Sequence, residues 1–323
     1  MIAFDAPDDA VYHDFAPGVR LIRLNVPAGT GGGGIRQAGR RLLALRRAIS
    51  AGHFGIVVSF LTKINVLTLL ATRGLAIPVV VSERNNPRRQ HASRAWRAML
   101  ALLYPRATAI VMQTERSKSC LPPSQRERAY VIPNPIMLTS ALPPPSEEMR
   151  VTAVGRLEAQ KGFDLLIDAF ARIVDNRPDW RLVIWGNGPL RDELAAQAAQ
   201  RGIGERVSFA GNSQMPGGWI KPSGIFVLSS RFEGFPNALG EAMAAGMAVI
   251  AFDCEFGPRE FITSGVDGLL VPAEDVQALA NALESLMCDS RRRAMLSSSA
   301  ASSIRRFEHE IVCQKWLRLL DSV

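Results

Sequence analysis

The chain has 323 residues, of which 47% are hydrophobic and 21% charged, with a formal net charge of +8. This length allows two domains with cores of their own, and the composition excludes disordered, collagen-like and disulfide-stapled proteins. The four cysteines are scattered, without a Cys-x-x-Cys pair or histidines at ligand spacing, which predicts reduced thiols in a cytoplasmic protein without a metal site. No secretion signal or membrane-spanning segment is expected from the apolar pattern.

Positive charge is concentrated in the first half of the chain. Residues 1–150 carry 20 Lys and Arg against 9 Asp and Glu, whereas residues 151–323 carry 18 against 21. Residues 15–128 alone carry 19 basic side chains against 3 acidic ones. The first half is therefore expected to attract anions or an anionic surface.

Short apolar runs alternate with longer segments of helical period along the chain. Each run is apolar on both faces, as expected for strands of a covered parallel sheet. Apolar residues recur at helical spacing over 163–173 and 276–287. The alternation predicts βαβ units and a doubly wound α/β fold. The predicted strands cover residues 20–26, 55–60, 78–82, 108–112, 129–132, 150–154, 181–185, 207–210, 225–228, 248–252 and 268–271.

A glycine-rich stretch, residues 29–34, precedes a predicted basic helix at 36–47. It lacks the Lys-Ser/Thr of a phosphate-binding loop, and no acidic residue follows at the distance needed to bind a ribose. A flexible linker is therefore favoured over a phosphate cradle. A second basic segment covers residues 88–97.

Prolines mark a domain boundary between residues 133 and 145. Proline lacks the backbone donor that a sheet needs, so the stretch is interpreted as a linker. The predicted organisation is a first domain at 1–135, a Pro-rich linker at 136–146, a second domain at 147–305 and a C-terminal helix at 306–323 that could pack back on the first domain.

The segment 226–250 carries the most specific pattern. A buried strand is predicted to end at Ser229-Ser230, followed by a Gly/Pro loop and a helix that begins near Asn237, whose side chain can cap it. Glu233 lies in this loop and Glu241 in the first two turns of the helix. The backbone N–H groups of residues 235–239 are expected to point towards an incoming anion.

The stretch from Glu233 to Glu241, EGFPNALGE, resembles the paired glutamates of retaining nucleotide-sugar glycosyltransferases of the family-4 type. Further segments resemble that family in the same order along the chain: residues 155–157 with Lys161-Gly162, the glycine turn 186–190, and residues 253–260 and 267–272. The resemblance implies the GT-B fold, in which two Rossmann-like domains face a cleft.

By this resemblance, Arg156 and Lys161 bind the diphosphate of the donor, which matches the preference of phosphate for a bidentate and a compact cation. Glu241 would accept hydrogen bonds from the ribose, and Glu233 would contact the transferred sugar. Glu233, Arg156 and Lys161 are the catalytic candidates. The donor-binding candidates are Arg156, Lys161, Gly186, Gly188, Glu233, Gly234, Phe235, Pro236, Asn237, Ala238, Leu239 and Glu241. Family chemistry implies no cofactor and no metal ion.

In the first domain, residues 82–89 resemble a segment of family members that extend lipid-linked glycans. Arg84 and Asn85 are candidates for contact with the acceptor or the donor phosphate, and a capped loop with a solvated arginine face is an equally open interpretation. The strand, glycine turn and helix with which family members usually begin are expected to be absent, so the first domain is expected to be truncated.

The sequence thus predicts a glycosyltransferase that moves a sugar from a nucleotide donor, UDP-linked by family expectation, to a lipid-linked or polysaccharide acceptor with retention of anomeric configuration. The alternative is a catalytically impaired nucleotide-binding remnant of such an enzyme. The expected partners are the nucleotide-sugar, a glycan or polyprenyl-diphosphate-linked acceptor, and the anionic inner face of the cytoplasmic membrane, contacted peripherally. A nucleic-acid partner is not expected, because only Trp96 and Tyr104 are interleaved with the basic residues.

Overall fold

The computed structural model describes residues 1–9, 15–26, 35–84, 94–136, 149–215, 217–220 and 224–323. The side chains of Ile35 and of residues 94–97 are also left undescribed. The glycine-rich stretch, Asn85 and the predicted linker apart from Ile136 lie outside the described residues. The chain forms two compact units: the first comprises Met1–Val131 and Arg318–Val323, and the second comprises Ile132–Leu317.

The first unit contains two parallel sheets. Strands β1 and β2 pair with each other, and β3 to β6 form a second sheet in sequential order. The central strands of that sheet, β4 and β5, are buried along their whole length. The strands are Ile2–Ala3 (β1), Ile22–Arg23 (β2), Val57–Phe60 (β3), Val79–Ser82 (β4), Ala109–Met112 (β5) and Ala129–Val131 (β6), and the helices are Ile35–Ala51 (α1), Thr62–Ala71 (α2), Arg94–Leu103 (α3), Glu115–Lys118 (α4) and Pro123–Arg126 (α5).

The second unit is built on a six-stranded parallel sheet. Its strands are Arg150–Val154 (β7), Arg181–Trp185 (β8), Val207–Gly211 (β9), Ile225–Leu228 (β10), Ala248–Asp253 (β11) and Leu269–Pro272 (β12). Their order across the sheet is β12-β11-β10-β7-β8-β9. The chain therefore builds outwards from β7 to one edge, returns to β10 beside β7, and builds to the other edge. Open α/β sheets bind ligands at the carboxyl ends of the strands where this reversal occurs.

Helices cover both faces of this sheet. On β10, Ile225 and Val227 belong to one apolar cluster and Phe226 and Leu228 to the other, as the two-residue period of a strand requires. The helices are Phe163–Ala171 (α6), Arg191–Gln200 (α7), Asn237–Ala244 (α8), Pro258–Phe261 (α9), Val276–Cys288 (α10), Ser290–Ser303 (α11) and His309–Asp321 (α12), whose last residues belong to the first unit. A 3-10 turn, Ile304–Phe307, precedes α12.

The doubly wound α/β fold predicted from the sequence is confirmed. Each of the eleven predicted runs contains a strand, and no strand extends more than one residue beyond its run. The predicted runs exceed the observed strands most in the first half of the chain, where residues 20–26 contain only the two-residue β2. No helix in the described part of the chain has the length and apolar character needed to cross a membrane.

Candidate functional site

The candidate residues of the second unit converge at the carboxyl edge of its sheet. Residues 155–162, here the first loop, follow β7, and residues 229–236, the second loop, follow β10. The glycine turn 186–190 follows β8. Because β10, β7 and β8 are neighbours, these three segments lie side by side at the reversal of strand order.

An ion pair joins the first two loops. Lys161 Nζ lies 2.7 Å from Glu233 Oε1, and the Glu233 side chain is only 6% exposed. Ser230 donates a second hydrogen bond to the same oxygen, over 2.6 Å. Within the described residues, the other carboxylate oxygen, Oε2, has no hydrogen-bond partner. Glu233 is therefore not the solvated loop residue that an isolated glutamate would be, and its Oε2 is left for a ligand.

Glycines allow the backbones of the loops to approach each other closely. Gly162 has a φ of +61°, and a Cβ placed on it would lie 2.1 Å from the carbonyl oxygen of Ser229. Gly186 has a φ of +127°, and its Cβ would lie 1.9 Å from the carbonyl oxygen of Gly155. Only glycine fits both the backbone conformation and the space at these two positions.

The amino end of α8 supplies backbone donors. Leu239 N–H already donates to Pro236 O, whereas Asn237 and Ala238 N–H groups have no acceptor within the described residues. Asn237 does not cap the helix as predicted: it is the first helical residue, and Pro236 occupies the cap position without a side-chain hydrogen bond. The Asn237 side chain instead accepts a hydrogen bond from Asn134 Nδ2 over 2.9 Å. The helix end is thus free to receive an anion.

Glu241 lies on α8, half-buried, and its carboxylate has no hydrogen-bond or ion-pair partner within the described residues. Burial raises the pKa of this carboxyl above its ordinary value. A carboxylate that is desolvated without a partner is unfavourable by itself, and hydrogen bonds from ligand hydroxyl groups would offset that cost.

Arg156 is more exposed than the other candidates. Its guanidinium pairs with Glu158 of the same loop at 3.0 Å, and its side chain is 69% exposed. It therefore does not share the Lys161–Glu233 pair, and it can turn to a ligand at little cost because an exposed ion pair is weak. The remaining donor-binding candidates lie where the motif places them: Gly186 and Gly188 in the turn after β8, Gly234, Phe235 and Pro236 in the second loop, and Ala238 and Leu239 in the first turn of α8.

Behind the second loop lies the buried thiol of Cys254. Burial raises its pKa to about 12, and the nearby charge of Glu233 adds to the rise. The thiol is therefore neutral at physiological pH and is not a nucleophile. Within the described ranges, no three His, Cys, Asp or Glu side chains are grouped so that they could hold a metal ion.

In the first unit, Arg84 follows β4 and its guanidinium lies 5.0 Å from the centroid of the Phe60 ring. Burial lowers its pKa to about 10. The preceding Glu83 is buried and accepts hydrogen bonds from Thr62 Oγ1 at 2.6 Å, Asn65 Nδ2 at 3.2 Å and the Tyr104 hydroxyl. This network holds the start of the Arg84 loop in place.

Sequence reasoning missed the residues that fasten the two loops together. Arg231 forms a bidentate pair with Asp164, at 2.8 and 2.6 Å, and Gln160 Nε2 donates to Phe232 O over 2.9 Å. The available signal was weak, because Arg231, in the second loop, and Asp164, on α6, are single opposite charges that lie 67 residues apart in the sequence.

Two family models match the chain. The model for glycosyl transferases group 1 matches residues 139–303, and the model for a glycosyl transferase 4-like domain matches residues 2–135. The first of these covers about half of the chain and includes both loops and α8.

Relatives with curated names include an exopolysaccharide phosphotransferase of Streptomyces coelicolor, 36% identical over 69% of this chain. The alignment spans only 24% of the length of that relative. An α-1,4-N-acetyl-D-galactosaminyltransferase of Campylobacter jejuni, named for an undecaprenol-PP-linked glycan, is 27% identical over 88% of this chain and 79% of its own.

Solved structures share the fold. HepE of Anabaena in complex with UDP superimposes with a TM-score of 0.78, at 22% identity over 87% of this chain and 82% of its own. A sucrose-phosphate synthase from Thermosynechococcus elongatus has a TM-score of 0.80, at 21% identity over 98% of this chain and 86% of its own. These likenesses confirm the GT-B fold class expected from the sequence. With its matching family model, the chain belongs to the group 1 glycosyl transferases.

Proposed function

We propose that the chain transfers a sugar from a UDP-sugar to a lipid-linked or polysaccharide acceptor, with retention of anomeric configuration and without a metal ion. The observation that carries the proposal is the convergence of Lys161, Glu233, Glu241 and the amino end of α8 at the strand reversal of the second unit. Two matched relatives whose names give lipid-linked glycans, both of Campylobacter jejuni, support the acceptor class.

The diphosphate of the donor would bind between Lys161, Arg156 and the free N–H groups of Asn237 and Ala238. Departure of the nucleotide leaves negative charge on the diphosphate, and fixed donors that face this charge lower the barrier. Without a metal, these groups must supply the whole of that stabilisation, so Arg156 would have to leave Glu158 and turn to the diphosphate when the donor binds.

The two glutamates would hold the other parts of the donor. Glu241 would accept hydrogen bonds from the ribose hydroxyls, because its carboxylate has no partner of its own in the described structure. Glu233 would contact the transferred sugar through Oε2, while Oε1 remains bonded to Lys161 and Ser230. The leaving phosphate would then help to deprotonate the acceptor.

We assign the contact with the acceptor to the first unit. Arg84 is the candidate cation there, and Asn85, the next residue in the sequence, is the second candidate. The basic excess of residues 15–128 would hold this unit peripherally at the anionic inner face of the cytoplasmic membrane, where a polyprenyl-diphosphate carrier lies. On α1, Arg36, Arg40 and Arg47 are exposed at spacings of one helical turn or two, together with the exposed Leu43.

The test is an assay of UDP release from UDP-glucose, UDP-galactose, UDP-GlcNAc and UDP-GalNAc in the presence of bacterial polyprenyl-linked glycans. We expect release with one of these donors, an α-linked product by NMR if the donor is α-linked, and unchanged activity in EDTA. Glu233→Gln should reduce turnover by about 100-fold or more. An inverted product, or turnover that depends on added metal, would contradict the mechanism. Donor binding without any transfer would favour the nucleotide-binding remnant instead.

A further inference from the structure

Arg231, in the second loop, has contacts that the proposed donor site does not use. Its Nη1 and Nη2 donate to the two carboxylate oxygens of Asp164, Nη1 also donates to Ala159 O over 2.7 Å, and Nε donates to Glu274 Oε2 over 3.1 Å. Four of the roughly five N–H donors of a guanidinium are therefore engaged. A lysine, with one point of attachment, could not reproduce this arrangement.

The backbone around Arg231 is also bonded to the first loop. Arg231 N–H donates to Gln160 O over 2.9 Å, and Gln160 Nε2 returns a hydrogen bond to Phe232 O. Ser229 Oγ donates to Lys161 O over 2.9 Å. These hydrogen bonds join consecutive residues of the two loops. They reach Lys161 in the first loop and Phe232, the neighbour of Glu233, in the second.

Arg231 and Asp164 each favour the charged form of the other, so their ion pair persists across the neutral pH range. Burial alone would raise the pKa of Asp164, but the hydrogen bonds and charge of Arg231 outweigh it and hold that pKa below its ordinary value. The hydrogen bonds from Arg231 to Asp164 in turn raise the pKa of the guanidinium. Both groups are therefore charged across the neutral range.

We propose that Arg231, with Asp164, is a positioning residue of the nucleotide site: it fixes the second loop on the first so that Lys161 and Glu233 are presented together to the donor. Arg231 acts through these residues and does not contact the donor itself. The inference rests on the proposed function, because the donor is what the two loops would hold.

The chain offers a matched control, because α6, which carries Asp164, carries a second aspartate that is paired with an arginine. Arg201 also forms a two-bond pair with an aspartate of α6, Asp168, at 2.9 and 3.2 Å, and among the described residues it makes no hydrogen bond or ion pair with either loop. Arg231→Gln and Arg201→Gln therefore remove the same kind of ion pair, one at the loops and one away from them. Arg231→Lys keeps the charge and loses the planar fork.

The experiment measures UDP affinity by calorimetry, the melting temperature, and amide hydrogen exchange of residues 155–162 and 229–236 in each full-length variant. Arg231→Gln is expected to weaken UDP binding by about tenfold, as is usual for residues coupled in one network, and to speed exchange in both loops. Arg231→Lys should recover part of the affinity. Arg201→Gln should leave affinity and loop exchange unchanged, with a smaller loss of melting temperature, because Arg201 is more exposed than Arg231 and makes fewer hydrogen bonds.

Two results would overturn the inference: unchanged UDP affinity and loop exchange in Arg231→Gln, or an equal loss of affinity in Arg201→Gln. Failure of the unaltered chain to bind UDP would instead refute the proposed function. In that case the exchange data still decide whether Arg231 fastens the loops, because they need no ligand.

Discussion

Glu241, for which we propose a contact with the ribose of the donor, lies where its charge lowers the stability of the fold. Its half-buried carboxylate has no partner within the described structure, and burial raises its pKa. The folded state therefore holds the proton more tightly than the unfolded state, so stability falls as pH rises from the ordinary pKa of this carboxyl through the raised one. A residue kept only for stability would not carry this penalty.

Glu241→Gln is expected to raise the melting temperature at pH 7, because it removes the cost of the buried charge. The gain should shrink as the pH falls and be nearly absent at about pH 3.5, roughly one unit below the ordinary pKa of 4.5, where the wild-type side chain is protonated in both states. The same variant should lose about tenfold in UDP affinity, because a hydrogen bond to a charged acceptor is stronger than one to an amide. Thermal melts at the two pH values, with calorimetry at pH 7, check both effects. A variant that is destabilised at pH 7 would contradict this account of Glu241.

Gly162 and Gly202 form a matched pair for testing the close approach of the loops. Both have left-handed φ angles, +61° and +74°, but only Gly162 has a backbone atom within contact distance of an added Cβ. Gly202→Ala should cost about 1–2 kcal/mol, the cost of a left-handed alanine. Gly162→Ala should cost more than that and also weaken UDP binding, because Ser229 must move. Urea denaturation and calorimetry measure the two quantities, and equal costs for both variants would show that the loops are not in tight contact.

The sequence was informative about single residues only where a motif carried them. The positions of Glu233, Lys161 and the glycines follow from the spacing of family motifs and from strand ends. The Lys161–Glu233 pair and its Ser230 contact did not follow, because residues 72 positions apart are brought together only by the strand order. The exposed position of Arg156 was likewise not predictable, since exposure depends on neighbours in space.

At the scale of elements, α8 is held in place by an aromatic cluster. Phe261 lies with its ring centroid 4.6 Å from that of Phe235 in the second loop and 5.0 Å from that of Phe307 in the 3-10 turn. On the helix itself, a Cβ added to Gly240 would lie 2.6 Å from Ile136 Cδ1. These contacts pack the second loop and α8 against α9 and the 3-10 turn.

Phe261→Ala is expected to lower the free energy of unfolding by about 3–5 kcal/mol, the usual cost of removing a fully buried aromatic ring. Met295→Ala, at a side chain that is 59% exposed, provides the control and should change stability by less than about 0.5 kcal/mol. Urea denaturation of the two variants makes the comparison. A small effect of Phe261→Ala would mean that the cluster does not anchor the loop.

Strands were the elements best predicted from the sequence. Burial on both faces of a parallel sheet leaves continuous apolar runs such as 225–228, and these are recognisable without tertiary information. The helix cap at Asn237 was predicted wrongly, because Pro236 takes the cap position and Asn134, distant in sequence, competes for the side chain. A side-chain cap acts from the position just before the first helical residue, and Asn237 lies one residue inside the helix.

At the scale of the whole molecule, the charge asymmetry carries the membrane proposal. Residues 15–128 have 19 basic and 3 acidic side chains, whereas residues 151–323 have 18 and 21. Such an excess favours an anionic partner at long range and loses its effect as salt screens it.

Replacement of Arg36, Arg40 and Arg47 by Gln is expected to weaken binding to phosphatidylglycerol vesicles by about 100-fold, because each arginine at the surface contributes about 1 kcal/mol. Replacement of the exposed Arg181, Arg191 and Arg291 removes the same charge from the second unit and should have little effect. Vesicle sedimentation at low and high salt measures both. Binding that does not fall with salt, or equal losses in the two variants, would contradict peripheral attachment through α1.

The most direct test of the central claim, that the second unit binds a UDP-sugar at its strand reversal, is calorimetric titration of the full chain with UDP, and with GDP and ADP as controls. Arg156→Ala and Glu241→Ala are titrated alongside. The account predicts binding that is selective for UDP and weakened in both variants, in proportion to the charge-assisted hydrogen bonds that each removes. A folded chain that binds no nucleotide, or binds UDP equally well in both variants, would contradict it.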